Sequence, residues 1–268
     1  MYNIENFEIE ITELNRNRMV RVYLPSNYSE NDKNKYPVLY MHDGHNLFYN
    51  ETSTYGDIWN AHEIAEEFLK NTGKGLIIVG VDCSMTGERF DEYSPWINEN
   101  LKEFIPSRGE QCAGGKGDKY AKFLVETLKP LIDSKYRTMP NRENTFIAGS
   151  SMGGFISLYT AIKYSQIFSK VGSFSTAAWF KKDELFKFIK ENYKLDLSVY
   201  LDIGTKETSD NENSSFNDIY LNDTIELNDL FISLNQPNEK IKLIIDEGAT
   251  HSEKAWERRF PEFIKFIL

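Results

Sequence analysis

Cysteine is scarce in this 268-residue chain, which has only Cys83 and Cys112. Two such thiols cannot make a disulfide framework and have no metal-ligand spacing. They are expected to be reduced thiols in a cytoplasmic protein. Positive charge is also in deficit: 31 Lys and Arg stand against 41 Asp and Glu, a formal net charge of −10. That disfavours nucleic acid or an anionic membrane as the main partner. No apolar run reaches membrane-spanning length. The start, Met1-Tyr2-Asn3-Ile4-Glu5-Asn6, has neither a basic segment nor an apolar core, so no signal peptide is expected. Repeats, linkers and low-complexity tracts are missing too. What remains is 40% apolar and 27% charged residues. That profile fits a globular protein large enough for one sizeable core, a single domain over residues 1–268.

One stretch dominates, Phe146-Ile147-Ala148-Gly149-Ser150-Ser151-Met152-Gly153-Gly154-Phe155. A β-prone run ends in G-x-S-x-G and a helical pattern follows, which is the pattern of a nucleophile elbow centred on Ser151. Gly149 and Gly153 sit where side chains would collide as strand and helix approach. The next helix points free N–H groups at the serine.

The rest of the chain alternates strand and helix signals. Glu8–Thr12 and Met19–Leu24 alternate in polarity and predict an antiparallel hairpin. A polar loop is expected over Pro25 to Lys35. Buried strands are expected at Tyr36–Met41, Leu76–Val81, Lys170–Phe174, Ser198–Ile203 and Lys240–Ile245. Helices are expected over Ile58–Asn71, Asp118–Lys135, Phe155–Tyr164, Lys181–Asn192, roughly 216–234, and Ser252–Ile267. Within Asp118–Lys135, Pro130 should kink the helix, and Tyr120, Phe123, Leu124, Leu128 and Leu131 should face inward. Asp82 to Gly117 reads as long and irregular. The pattern predicts an α/β protein: a mostly parallel sheet with an N-terminal antiparallel hairpin and helices on both faces. Sites in such sheets lie beyond the carboxyl ends of the strands.

A serine needs a base, and the chain offers four histidines. His62 falls in a helix and is expected at the surface. His42 and His45 precede the elbow, and without a third ligand in view they predict no metal site. His251 follows the last strand and precedes the terminal helix, where the order serine, acid, histidine needs the base. The acid should follow the penultimate strand. Asp202 lies inside that strand, Glu207 just past Gly204, and Asp210 further into the loop. Glu207 is the choice and Asp210 the runner-up. The backbone N–H groups of Met152 and His45 are the candidate oxyanion-hole donors.

Together, Gly149–Gly154, His42-Asp43-Gly44-His45-Asn46-Leu47-Phe48, Glu92-Tyr93-Ser94-Pro95-Trp96, Tyr136-Arg137-Thr138 and His251-Ser252-Glu253-Lys254-Ala255-Trp256 resemble the putative-esterase family of α/β-hydrolases. That family includes feruloyl and acetylxylan esterases, enterochelin-type siderophore esterases and S-formylglutathione hydrolases. The similarity spans roughly residues 18–266. It implies the α/β-hydrolase fold and a serine carboxylesterase without metal or organic cofactor. Gly204-Thr205-Lys206-Glu207 matches the family's acid position, with Glu where many members have Asp.

The segment Ser175–Leu197 is short, so no large lid domain is expected. Tyr93, Trp96 and Trp179, with Phe180, are expected to form an aromatic wall for an acylated carbohydrate or an aryl ester. No basic cluster marks those loops, which lowers the siderophore-lactone reading. An acyltransferase and a catalytically idle binding protein remain as alternatives, and oligomeric state leaves no mark on the sequence.

Overall fold

The N-terminal alternation pairs further than its apolar pattern suggests. Strand β1 (Asn3–Ile11) runs antiparallel to β2 (Arg16–Leu24), in register from Asn3 opposite Leu24 to Ile11 opposite Arg16. This computed structural model describes residues 2–28, 33–84 and 87–268. Met1, part of the polar loop expected over Pro25 to Lys35 (residues 29–32) and residues 85–86 lie outside the described residues.

Further along come β3 (Val38–His42), α1 (Ala61–Thr72) and β4 (Ile77–Val81). The described residues of the irregular segment after β4 hold short pieces, among them α2 (Arg89–Glu92), β5 (Ile97–Asn98), α3 (Leu101–Phe104) and β6 (Ala113–Gly114). Next are α4 (Gly117–Phe123), α5 (Lys129–Lys135), β7 (Thr145–Ser150) and α6 (Met152–Lys163). The last part is β8 (Lys170–Phe174), α7 (Lys182–Asn192), β9 (Ser198–Lys206), α8 (Phe216–Ser233), β10 (Ile241–Thr250) and α9 (Glu253–Ile267).

Among the described residues the main sheet has eight strands in the order β1-β2-β4-β3-β7-β8-β9-β10. β2 pairs antiparallel with β4, and every pairing from β4 through β10 is parallel. The sheet is therefore mostly parallel with an N-terminal antiparallel hairpin, and helices cover both faces. Alternate strand residues feed two cores. Val38, Tyr40, Val79 and Ile147 pack against α4 through α8. Leu39, Met41, Ile78 and Phe146 pack against α1 and α9, meeting Trp256, Phe260 and Phe263. No helix among the described residues is long and apolar enough to cross a membrane.

Three expectations need correction. A single π turn, Leu124–Leu128, separates α4 from α5. Pro130 lacks an N–H and its ring would press on the preceding turn, and the wider turn relieves this. The turn also holds one extra residue and rotates the face that follows by about 100°. Leu131, expected inward, is therefore 37% exposed, and Ile132 is fully buried in its place. His62 is not at the surface: it is buried with its ring among Tyr2, Tyr23, Phe48 and Tyr49. An amphipathic pattern cannot show that a neighbouring strand covers a helix flank.

Candidate active site

Ser151 sits between β7 and α6 with φ 58° and ψ −123°, a conformation costly for a residue with a side chain. The surroundings hold it there. Its N–H donates to Phe174 O at 2.9 Å, and its carbonyl accepts from Phe155 N at 3.1 Å and Ala177 N at 3.2 Å. A Cβ on Gly149 would stand 2.7 Å from the Gly153 carbonyl carbon, so the strand and helix can close only over glycine. Met152 is the first residue of α6, and its N–H has no partner within the helix.

The loop after β3 faces the elbow. Asp43 is left-handed at φ 55°, and Gly44–Asn46 form a 3-10 turn. Gly44 lies so close to β4 that a Cβ would be 2.6 Å from the Gly80 carbonyl carbon. Arg89 grips the Asp43 carboxylate with two hydrogen bonds of 2.8 and 2.7 Å. Burial pushes that carboxyl up, but the Arg89 charge and hydrogen bonds outweigh it and lower its pKa to about 2. Asn46 Nδ2 donates to Glu253 Oε1 at 2.9 Å and ties this loop to the start of α9. The backbone of His45 thus sits in a braced turn, while its ring Nε2 meets Thr54 Oγ1 at 2.9 Å.

Glu207 and His251 are brought together, with His251 Nδ1 lying 2.6 Å from Glu207 Oε2. Both strands run further than their apolar runs. β9 continues to Lys206, and β10 continues to Thr250 through an irregularity between Asp246 and Thr250. Gly204 is required there, because a Cβ would come within 2.2 Å of Ala249 O. Glu207 Oε1 accepts from Ser175 Oγ at 2.6 Å and from Gly204 N at 2.7 Å. Burial pushes the Glu207 carboxyl up, but His251, Ser175 and Gly204 together hold it below the usual range. Asp210 and Asp202 are elsewhere. Asp210 accepts the N–H groups of Ser107 and Glu212, each at 2.9 Å, and Asp202 pairs with Arg259 at 3.0 Å.

Ser151 and His251 line one cleft of about 670 Å³, together with Phe90, Ile105, Arg108 and Tyr55. Among the described residues no hydrogen bond joins serine to histidine, a common state of a site without substrate. Beside them stands Tyr220, whose phenol burial pushes up to about 12. The Tyr220 ring lies 4.9 Å from the His251 ring and its hydroxyl 2.6 Å from Ser209 Oγ.

The expected aromatic wall is absent from this cleft. Tyr93 is fully buried behind the β3 loop, with its hydroxyl accepting from Asp43 N at 3.2 Å. Trp96 packs on Phe155, Tyr159 and Phe188. Trp179 is buried on Phe104, Phe216 and Tyr220. Each ring is consumed by packing under the segment that carries it. Asp43, His45 and Cys83 bring possible metal-ligand atoms within 4.8 Å of one another. Asp43 is already committed to Arg89, and burial pushes the Cys83 thiol up, which opposes thiolate formation.

Sequence reasoning missed Tyr220, Asn46, Glu253, Ser175 and Arg259. Arg259 left a signal: it is a charge on the apolar stripe of α9, facing an aspartate set inside the apolar run of β9.

Residues 11–267 match the family described as Putative esterase. The chain is 25% identical over 251 residues to the uncharacterized protein YbbA of Bacillus subtilis, covering 94% of this chain and 92% of that protein. Among solved structures it resembles a BES protein from Bacillus cereus (TM-score 0.78, 19% identity, 100% of this chain and 96% of that one). It also resembles a ferulic acid esterase (TM-score 0.74, 18% identity, 100% and 98%). These two likenesses establish the α/β-hydrolase fold.

Proposed function

The chain belongs to the Putative esterase family, and from that premise we propose that it is a serine carboxylesterase working through Ser151, His251 and Glu207. The supporting observation is the 2.6 Å contact of Glu207 with His251 in the cleft that also holds the strained Ser151. In this reading the Ser151 hydroxyl gives its proton to His251 Nε2 as its oxygen attacks the ester carbonyl. The Glu207 carboxylate holds Nδ1–H and stabilises the imidazolium. The N–H groups of Met152 and His45 receive the oxyanion. His251 then passes its proton to the leaving alcohol. Water, deprotonated by His251, attacks the acyl-serine and releases the acid and free Ser151. No step calls on a metal or an organic cofactor.

The substrate we propose is an aryl ester or an acylated carbohydrate. Phe90, Ile105 and Trp256 give the cleft apolar surface, while Thr54, Ser107 and Thr208 give it hydroxyls. The test is Ser151→Ala with p-nitrophenyl acetate. Turnover should fall roughly 10³-fold or more with an unchanged melting curve, and Ser150→Ala should be far milder. A Ser151→Ala protein that keeps most of its activity would overturn the reading.

A further inference from the structure

Ser175 is an unusual residue to find beneath a catalytic acid. It is fully buried and left-handed at φ 44°, and its N–H donates to Asp202 O at 2.9 Å. Its hydroxyl has three neighbours. Trp256 Nε1 donates to Ser175 Oγ at 2.9 Å, and Arg259 Nη2 donates to it at 3.0 Å. Glu207 Oε1 lies 2.6 Å away.

A serine hydroxyl has two acceptor lone pairs and one proton. Indole and guanidinium nitrogens only donate, so these two occupy both lone pairs. The single proton is left to point at Glu207. With Gly204 N–H also on Oε1, that oxygen is saturated, and Oε2 is left to His251. The orientation of the carboxylate is therefore decided by whatever holds the two donors in place.

Arg259 is held from two strands. Nη2 lies 3.0 Å from Asp202 Oδ1 on β9, and Nη1 lies 3.5 Å from Asp246 Oδ2 on β10. Nη2 is also 3.8 Å from Glu207 Oε1. The arginine is 3% exposed and Asp202 fully buried. A buried guanidinium without carboxylates around it would be strongly unfavourable, so Asp202 is needed to keep it there.

We propose that Arg259, anchored by Asp202, is a positioning residue of the active site that acts through Ser175: it fixes the direction of the Ser175 proton and so the orientation of Glu207 toward His251. The inference rests on the serine hydrolase reading above. Arg259 touches no reacting atom. Its effect should appear in the chemical step and leave substrate binding alone.

The experiment compares Ser175→Ala, Arg259→Met, Arg259→Lys and the Ser175→Ala/Arg259→Met double variant with wild type, with Ser151→Ala alongside. The readouts are kcat and KM for p-nitrophenyl acetate and the downfield proton resonance of the His251 Nδ1–H···Glu207 bond. Ser175→Ala and Arg259→Met should each lower kcat roughly 10- to 100-fold with KM within about twofold, and both should shift or broaden that resonance. Arg259→Lys should recover most of the loss. The double variant should be no worse than the poorer single one, since both remove the same link. Losses that multiply in the double variant, or wild-type kcat in Ser175→Ala, would overturn the inference. If Arg259→Met does not fold, Ser175→Ala and its resonance decide alone. An inactive Ser151→Ala beside wild-type-like Ser175 and Arg259 variants would sink only this inference. An active Ser151→Ala would sink the hydrolase reading beneath it.

Discussion

At position 207 the side chain must span from the end of β9 to an imidazole carried by β10, and Glu207 reaches it with its last carboxylate oxygen. Glu207→Gln should lower kcat roughly 10²- to 10⁴-fold with KM little changed, because the amide cannot stabilise the imidazolium and can favour the wrong tautomer. Asp210→Asn should stay within a few-fold of wild type, since that carboxylate only caps the Ser107 and Glu212 amides. Steady-state kinetics of the two variants side by side checks this, and the reverse order of losses would move the acid to Asp210. That Ser151, Glu207 and His251 come together was legible, because each follows a strand signal at a glycine or a turn. Ser175 was not. Its importance comes from three partners on β9 and α9, and no local pattern announces a hydroxyl whose lone pairs are both taken. Tyr93, Trp96 and Trp179 misled for a related reason. Aromatic side chains in a loop are as useful for pinning the loop down as for lining a cleft.

At the scale of the element, the apolar runs marked where strands lie but not where they stop. β9 and β10 continue through Gly204-Thr205-Lys206 and Asp246-Glu247-Gly248-Ala249-Thr250, mostly polar residues and glycine, so the apolar runs do not show the extension. The helical stretch from Gly117 to Lys135 shows the opposite failure. Its periodicity was readable, but one extra residue in the π turn changed the phase beyond it. The two faces can be weighed directly. Ile132→Ala should cost about 3 kcal/mol of unfolding free energy, while Leu131→Ala should cost less than about 1 kcal/mol. Urea unfolding of both variants measures this, and equal losses would mean that the inward face is wrongly assigned.

Over the whole molecule, the fold class was legible because alternating strand and helix signals admit few topologies. Buried ionisable groups were not, and they set the response to acid. Burial lowers the pKa of His42 from 6.5 to about 3, against the pull of Asp43. A base with a lowered folded pKa contributes stability that is complete above pH 6.5 and is lost as pH falls toward 3. Burial raises Asp202 from 3.8 to about 7, against the pull of Arg259. That group works in the opposite sense, so its contribution is complete below pH 3.8 and is lost as pH rises to 7. The two slopes oppose each other where the windows overlap. The wild-type curve sums many such groups, so the informative quantity is a difference. His42→Gln, which can keep a bond to the Tyr120 hydroxyl, should gain stability relative to wild type as pH falls. For one group the slope can reach about 1.4 kcal/mol per pH unit. Denaturant titrations across that range test it, and a pH-independent difference would remove His42 from the account.

The histidine is carried by the outermost strand of the sheet. Among the described residues β10 has β9 on one side and no strand on the other, and its path just before His251 is interrupted between Asp246 and Thr250. Edge strands open at lower free energy than the centre of a sheet. Ser151, by contrast, follows β7, which is flanked by β3 and β8. On the serine-hydrolase reading, activity is expected to be lost by fraying of this peripheral strand before global melting. In mild denaturant, turnover should fade reversibly while amide hydrogens of β3, β7 and β8 still exchange slowly. Ser151 would keep its place after His251 had lost its own, leaving a folded protein with a formed elbow.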